Sequence, residues 1–246
     1  NQEFTDNGIK THTESLQESI SYYTNNLEID SVNPSSDKDI FDKVKDLNKY
    51  EGLIWGGSSL NIYSDTKEIR RQIEFMKECQ KRIKNILAIC WGMQVAVTAA
   101  GGVVNRGKNG AHRGIAHEIV INPDGLNHPI YKDKDKIFNT PAFNYDEVVT
   151  LPNNAILLSS NKVNNVMALN FETEFSKIWG IQYHPEITYE KMITLIKFRR
   201  ERLLENKSFS DEKDLESHIS MIEKEDKITK KESRMRELKN WLELIT

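Results

Sequence analysis

One stretch limits what this chain can become more than any other: Ile86-Leu87-Ala88-Ile89-Cys90-Trp91-Gly92-Met93-Gln94. The four apolar residues at 86–89, two of them β-branched, read as a short buried strand. A helix-forming run follows at 94–100. A strand that turns sharply into a helix holds one side chain proud of the sheet, and small neighbours such as Ala88 and Gly92 let the backbone close beneath it. The same turn sets the thiol near a helix N-terminus, which favours thiolate over thiol. Standing alone, Cys90 would read as a small core residue.

It does not stand alone. Residues 177–183 read as a second buried strand, and it delivers His184-Pro185-Glu186 at its end. A histidine can take the thiol proton, and a carboxylate two residues later can orient the ring and hold the imidazolium. Pro185 fixes the backbone between them. Separately, His184 would read as a surface histidine and Glu186 as a charge opening the helix from Tyr189.

Together, Ala-Ile-Cys-Trp-Gly-Met-Gln at 88–94 and Trp-Gly-Ile-Gln-Tyr-His-Pro-Glu at 179–186 resemble the class I, triad-type glutamine amidotransferases. Within them the chain is similar to stand-alone proteins like the glutaminase part of GMP synthase, over residues 4–197. The resemblance implies a triad of Cys90, His184 and Glu186 that cleaves the glutamine side-chain amide through a thioester. Glutamate and ammonia are the implied products. It also implies an α/β fold: a three-layer α/β sandwich with a mostly parallel central sheet, an antiparallel portion near the His184 strand, and the site at the carboxyl ends of the strands.

At 246 residues the chain is long enough for one α/β domain and an appendage. We expect an amidotransferase domain at 1–198 and a charged helical extension at 199–246. A net charge of -3 provides no global basic surface, so nucleic acid is not an expected partner. No apolar run approaches membrane-spanning length, and the polar start is unlike a signal peptide. A cytoplasmic location is the expectation. Cys79 falls in the helical stripe Ile69, Ile73, Met76 and Ile83, so it reads as core. The six histidines show no paired ligand spacing, so no metal and no cofactor are expected.

In chain order, residues 4–13 read as a polar loop whose 8–12 stretch can lie near the active-site mouth, with His12 itself structural or exposed. Leu16, Ile20 and Tyr23 then mark one side of a helix. The family's opening strand is missing from this stretch, and we expect it to lie upstream. Residues 27–32 alternate as a strand, 39–47 predict a helix, and 65–84 an amphipathic helix. Between the last two, residues 50–57 run an apolar strand into Gly56-Gly57 and then Ser58-Ser59. Such a loop lets backbone N–H groups approach a ligand, and by resemblance it builds the oxyanion hole from the amides of Gly57 and Trp91.

Gln94 lies one helical turn beyond Cys90 and can face the same pocket. The resemblance places substrate contacts at Gly56, Gln94, Asn144, Tyr145 and Asp146. Relatives carry a His-x-Asp-x-Val pattern where this chain reads Asn144-Tyr145-Asp146-Glu147-Val148. Asp146 is kept and can receive the substrate ammonium. Asn144 replaces the histidine, which leaves open a γ-glutamyl amide other than glutamine. The Gly-rich basic loop at 106–114 lacks a Walker pattern and reads as a lid or partner-facing loop. His128-Pro129-Ile130-Tyr131 reads as a packing element.

Beyond 199, Leu203, Leu204, Leu215, Ile219, Ile222, Met235, Leu238, Trp241, Leu242 and Ile245 have helical spacing. This stripe is expected to fold back on the domain or to mediate a homodimer. No acceptor-activating motif is evident, so the expected partner is a separate synthetase that takes the ammonia. A free-standing γ-glutamyl peptidase and a catalytically silent regulatory module are the competing readings.

Overall fold

Alternation along the strand Asn85–Ile89 sends Ile86 and Ala88 into one apolar cluster and Leu87 and Ile89 into another. A strand buried on both faces must sit inside a layered sandwich. The computed structural model describes Thr5 and residues 8–246, and it places this strand second from one edge of the central sheet. Phe4, Asp6 and Asn7 of the expected polar loop lie outside the described residues.

The strands are β1 Gly52–Trp55, β2 Asn85–Ile89, β3 Val103–Arg106, β4 His112–Arg113, β5 Ala116–Ile121 and β6 Ile137–Thr140. They continue as β7 Phe143–Asn144, β8 Asp146–Thr150, β9 Ile156–Ser160, β10 Ala168–Glu172 and β11 Lys177–Ile181. The helices are α1 His12–Tyr23, α2 Lys67–Gln80, α3 Trp91–Ala99, α4 Pro123–Leu126 and α5 Tyr189–Phe198. The last four are α6 Arg200–Glu205, α7 Glu212–Ile228, α8 Lys231–Arg234 and α9 Arg236–Ile245. Side-chain caps begin several of them: Thr11, Thr66, Thr188 and Asp211 each accept a backbone N–H of the first turn of α1, α2, α5 and α7.

Seven strands form the central sheet in the order β1-β2-β11-β10-β9-β5-β6, and β3 with β8 and β4 with β7 form two short ribbons. The α/β class holds, but the sheet is mixed. β2 runs parallel to β1 and β11, while the other four pairings in the sheet are antiparallel. Parallel neighbours need a crossover of about a dozen residues or more, and no helix separates β9, β10 and β11.

Two other expectations fail locally. Residues 27–32 are not a strand, and Ile29 and Val32 are each 40% exposed. Their alternation makes them able to pair, but among the described residues no strand runs alongside them. The helix expected at 39–47 is a 3-10 helix, Ile40–Lys49.

On one face of the sheet, α2 and α3 bury Ile69, Phe75, Met76, Cys79 and Val95 against Ile86 and Ala88. On the other, Ile20 of α1 and Leu238, Trp241 and Leu242 of α9 pack with Leu87 and Ile89. The C-terminal stripe therefore supplies part of the third layer. A β-carbon on Gly52 would stand 2.7 Å from the Trp241 ring. Leu203, Leu215, Ile219 and Ile222 join Tyr189, Ile193 and Ile196 in a further cluster beside it. The face expected to serve a homodimer is occupied within the molecule. No helix among the described residues is long and apolar enough to cross a membrane.

Candidate active site

Cys90 sits between β2 and α3 with φ 54° and ψ -106°. Such a backbone costs a non-glycine residue about 1–3 kcal/mol. Its surroundings enforce it: the Cys90 N–H donates to the Ile181 carbonyl at 2.7 Å, and its own carbonyl accepts from Gln94 N–H at 3.2 Å. Because β11 lies parallel beside β2, the bond to Ile181 ties the elbow to the strand that delivers His184.

The His184 Nδ1 shares a proton with Glu186 Oε1 across 2.7 Å, and both residues are buried. The Cys90 sulfur is close enough to the imidazole to act on its proton. Burial alone would strip the proton from His184. The Glu186 carboxylate and the Cys90 sulfur outweigh it and push the pKa up to about 10. The structure thus brings Cys90, His184 and Glu186 into one chain of contacts. Gln182 Nε2 also donates to Cys90 Sγ at 3.5 Å.

The Gly-Gly loop meets the same place. A β-carbon on Gly57 would stand 2.8 Å from His184 Cε1, so only a bare backbone fits against the ring. Trp91 opens α3, where N–H groups have no helical acceptor one turn back. Its indole is held away from the site by donating to Gln72 Oε1 at 2.8 Å. Gly56 has open space where a side chain would be.

Of the expected substrate contacts, Gln94 is buried and donates to Gln182 Oε1 at 3.3 Å, which links it to the thiol's surroundings. Asp146 is buried, and its carboxylate accepts from Asn61 Nδ2 at 2.7 Å and Tyr63 OH at 3.0 Å. Both donors follow the Gly-Gly loop in the chain. Asn144 faces inward: its Oδ1 stands 2.9 Å from His112 Nδ1, and its Nδ2 donates to the Asp146 carbonyl and to Asn164 Oδ1. The position therefore holds a buried polar network under Asp146. Tyr145 is half-buried, with its hydroxyl 3.2 Å from Ser208 Oγ and the Arg106 guanidinium 5.1 Å from its ring centroid.

Among the described residues, His12, His184 and Glu186 are the one group with ligand atoms close enough to share a metal ion, all within 4.8 Å of one another. The 2.7 Å between His184 Nδ1 and Glu186 Oε1 is a proton-sharing distance. Two donors on one tetrahedral zinc stand roughly 3.3 Å apart for bonds of about 2.0 Å. A bound ion would have to replace that proton.

The family model for class-I glutamine amidotransferases matches residues 4–200. The chain belongs to that family. It is 32% identical over 145 residues to the γ-glutamyl-L-1-hydroxyisopropylamide hydrolase of a Pseudomonas species, covering 58% of this chain and 49% of the relative. It is also 32% identical over 106 residues to one subunit of the glutamine-hydrolysing GMP synthase of Methanosarcina acetivorans, covering 43% of this chain and 52% of that one. The chain thus spans about half the length of these relatives. A glutamine amidotransferase structure from Thermotoga maritima superposes with a TM-score of 0.61 at 21% identity, over 81% of this chain and 79% of that one.

Two residues of this amidotransferase-family site were not marked by sequence pattern. Gln182 lies inside the motif that carries the resemblance, yet its contact with Cys90 depends on the register of β11 against β2. His12 was expected to be structural or exposed. It instead places its ring centroid 5.5 Å from that of His184. Burial first, and then the neighbouring His184, hold its pKa well below the ordinary imidazole value, so it is neutral. The sequence could place the 8–12 stretch near the mouth of the site, but the place of His12 after the N-cap Thr11 of α1 does not say what its ring faces.

Proposed function

We propose that this chain hydrolyses a γ-glutamyl amide, glutamine being the simplest, by way of a thioester on Cys90. The observation that carries the reading is the Cys90-His184-Glu186 contact chain at a strained elbow beside the Gly57 backbone. His184 holds the proton drawn from the Cys90 thiol, and the sulfur attacks the amide carbonyl carbon. The oxyanion accepts from the Gly57 and Trp91 amides, each such donor being worth typically about 2.7–4 kcal/mol. His184 then gives its proton to the leaving nitrogen, and ammonia or an amine departs. Water enters, His184 takes a proton from it as its oxygen attacks the thioester carbonyl carbon, the carbon–sulfur bond breaks to release the glutamyl carboxylate, and the sulfur recovers the proton. Glu186 orients the ring throughout, and Asp146 receives the substrate ammonium.

With glutamine as substrate, ammonia passes to a separate synthetase, a reading supported by the Methanosarcina relative. The second reading, hydrolysis of larger γ-glutamyl amides, is favoured by the Pseudomonas relative and by Asn144 standing where the family pattern has histidine. A reducing cytoplasm suits two free thiols.

Purified protein should be incubated with L-glutamine and with L-γ-glutamyl-p-nitroanilide, following ammonia and p-nitroaniline. Cys90 should also be trapped with 6-diazo-5-oxo-L-norleucine. Release from either substrate, with trapping lost in Cys90→Ala, is expected. No release and no Cys90-dependent trapping would leave a silent module.

A further inference from the structure

The loop that carries His184 and Glu186 is gripped from outside the sheet by the C-terminal segment. Arg234 ends α8, is 7% exposed, and donates from Nη1 to the carbonyls of Pro185 and of Ile187, the latter at 2.8 Å. Glu237 lies in α9, is fully buried, and accepts from Tyr183 OH at 2.7 Å. The three tethered positions, 183, 185 and 187, alternate with the two functional ones, 184 and 186. The chain turns here, with the Ile187 N–H donating to the His184 carbonyl at 3.3 Å, so the tethers brace the bend that presents both functional side chains.

The grip is itself anchored. Lys134 Nζ reaches Glu237 Oε1 at 3.0 Å and the Ser233 carbonyl at 2.7 Å. Tyr131 OH lies 2.9 Å from Tyr183 OH and 2.7 Å from Ser159 Oγ, extending the network into β9. Asn240 donates to the carbonyls of Ile130 and Lys132.

Packing alone does not call for these groups. Buried ions carry a desolvation cost that apolar residues of similar volume avoid, and such replacements are often neutral or stabilising. What Arg234 adds is direction: one guanidinium fixes the carbonyls on either side of Glu186. It also sets a positive charge near that carboxylate.

We propose that Arg234 and Glu237 are positioning residues for the reaction, holding the 183–187 loop from the C-terminal segment so that His184 stays between Glu186 and Cys90. The inference rests on the functional reading above and gives the C-terminal helices a part in turnover. A loop free to drift would misplace the imidazole, and a misplacement of about 1 Å can cost on the order of a hundredfold in rate.

The test compares full-length wild type with Arg234→Lys, Arg234→Ala and Tyr183→Phe. It measures thermal midpoint, kcat and KM on the better of the two substrates, and the rate of Cys90 alkylation by iodoacetamide. In folded Arg234 variants, kcat should fall by about tenfold or more with KM within about twofold, and alkylation should slow in parallel. Millimolar guanidinium should restore part of the rate of Arg234→Ala and leave wild type unaffected. Tyr183→Phe keeps the ring and loses one tether, so a fall in kcat of about threefold is expected.

Folded Arg234 variants with wild-type kcat and alkylation rate would overturn the inference, as would losses confined to KM. Should both Arg234 variants fail to fold, Tyr183→Phe decides: unchanged kcat and alkylation overturn it. Failure of the functional reading would show separately, as a wild type releasing neither product. The alkylation comparison would then still decide the clamp.

Discussion

Gly92 lies directly against the Trp55 carbonyl: a β-carbon on Gly92 would stand 2.1 Å from that oxygen. Trp55 ends β1 and leads into Gly56-Gly57, so the elbow and the proposed oxyanion loop are set against each other through this one contact. The obstructing atom is backbone and cannot swing aside.

Gly92→Ala must therefore push β1 and α3 apart. Overpacking of this kind typically costs about 1–3 kcal/mol. A thermal midpoint several degrees lower is expected, together with a loss in kcat/KM of about a hundredfold. Trp91→Phe keeps the backbone donor and should cost far less. Wild-type kcat/KM in Gly92→Ala would show that this contact does not set the loop.

The raised pKa of His184 fixes the sign of two pH effects. Burial lowers it, and the charges of Glu186 and Cys90 bring it up to about 10, against about 6.5 for a free imidazole. A proton is thus bound more tightly folded than unfolded. The associated stability is fully present below about pH 6.5 and is lost as pH rises towards about 10. Chemical denaturation of wild type and His184→Gln should accordingly show a gap that narrows across that window. The kcat/KM profile should keep its activity through neutrality and fall only on the far alkaline side, as the acid that protonates the leaving nitrogen is lost. An alkaline limb near pH 6.5 would contradict this.

Cys79 and Cys90 should separate cleanly in thiol labelling. Burial pushes the Cys79 thiol up to about 12, so it is almost wholly protonated near neutrality and inert while the protein is folded. Iodoacetamide at pH 7.5 should modify one thiol, and peptide mapping should find it at Cys90. A second equivalent should react only in denaturant. Labelling of Cys79 in folded protein at a rate comparable with Cys90 would refute the assignment of Cys79 to a closed core.

The elbow was legible because strand, turn and helix are consecutive, so local pattern alone specifies the geometry of Cys90. The place of Cys79 was legible for the same reason, through its helical stripe. Long-range relations were not. Alternation at 27–32 marks a segment that can pair but does not say whether a neighbour exists. The apolar spacing of Leu238, Trp241 and Leu242 shows a face without showing that it covers Leu87 and Ile89. Likewise, placing the 8–12 stretch near the mouth of the site does not pair His12 with His184, and nothing near Arg234 announces Pro185 and Ile187. These meetings are set by topology, which short-range periodicity does not encode.

Arg106 stands beside the residue proposed to receive the substrate ammonium, and its position predicts substrate affinity. It pairs with Asp146 across β3 and β8, and its side chain lies over Tyr145. A γ-glutamyl group carries both an α-ammonium and an α-carboxylate. On the proposed reading Asp146 receives the ammonium, and exposed Arg106 carries the charge that complements the carboxylate. A hydrogen bond to a charged group is worth about 1.5–3 kcal/mol, so Arg106→Ala should raise KM by about tenfold or more. Its kcat should stay within about twofold, because the contact is the same in ground and transition states. The comparison that isolates the charge uses an amide substrate lacking the α-carboxylate: its KM should be the same for Arg106→Ala and wild type. An equal loss on both substrates would mean that Arg106 acts on the fold of the β3-β8 ribbon and not on the substrate.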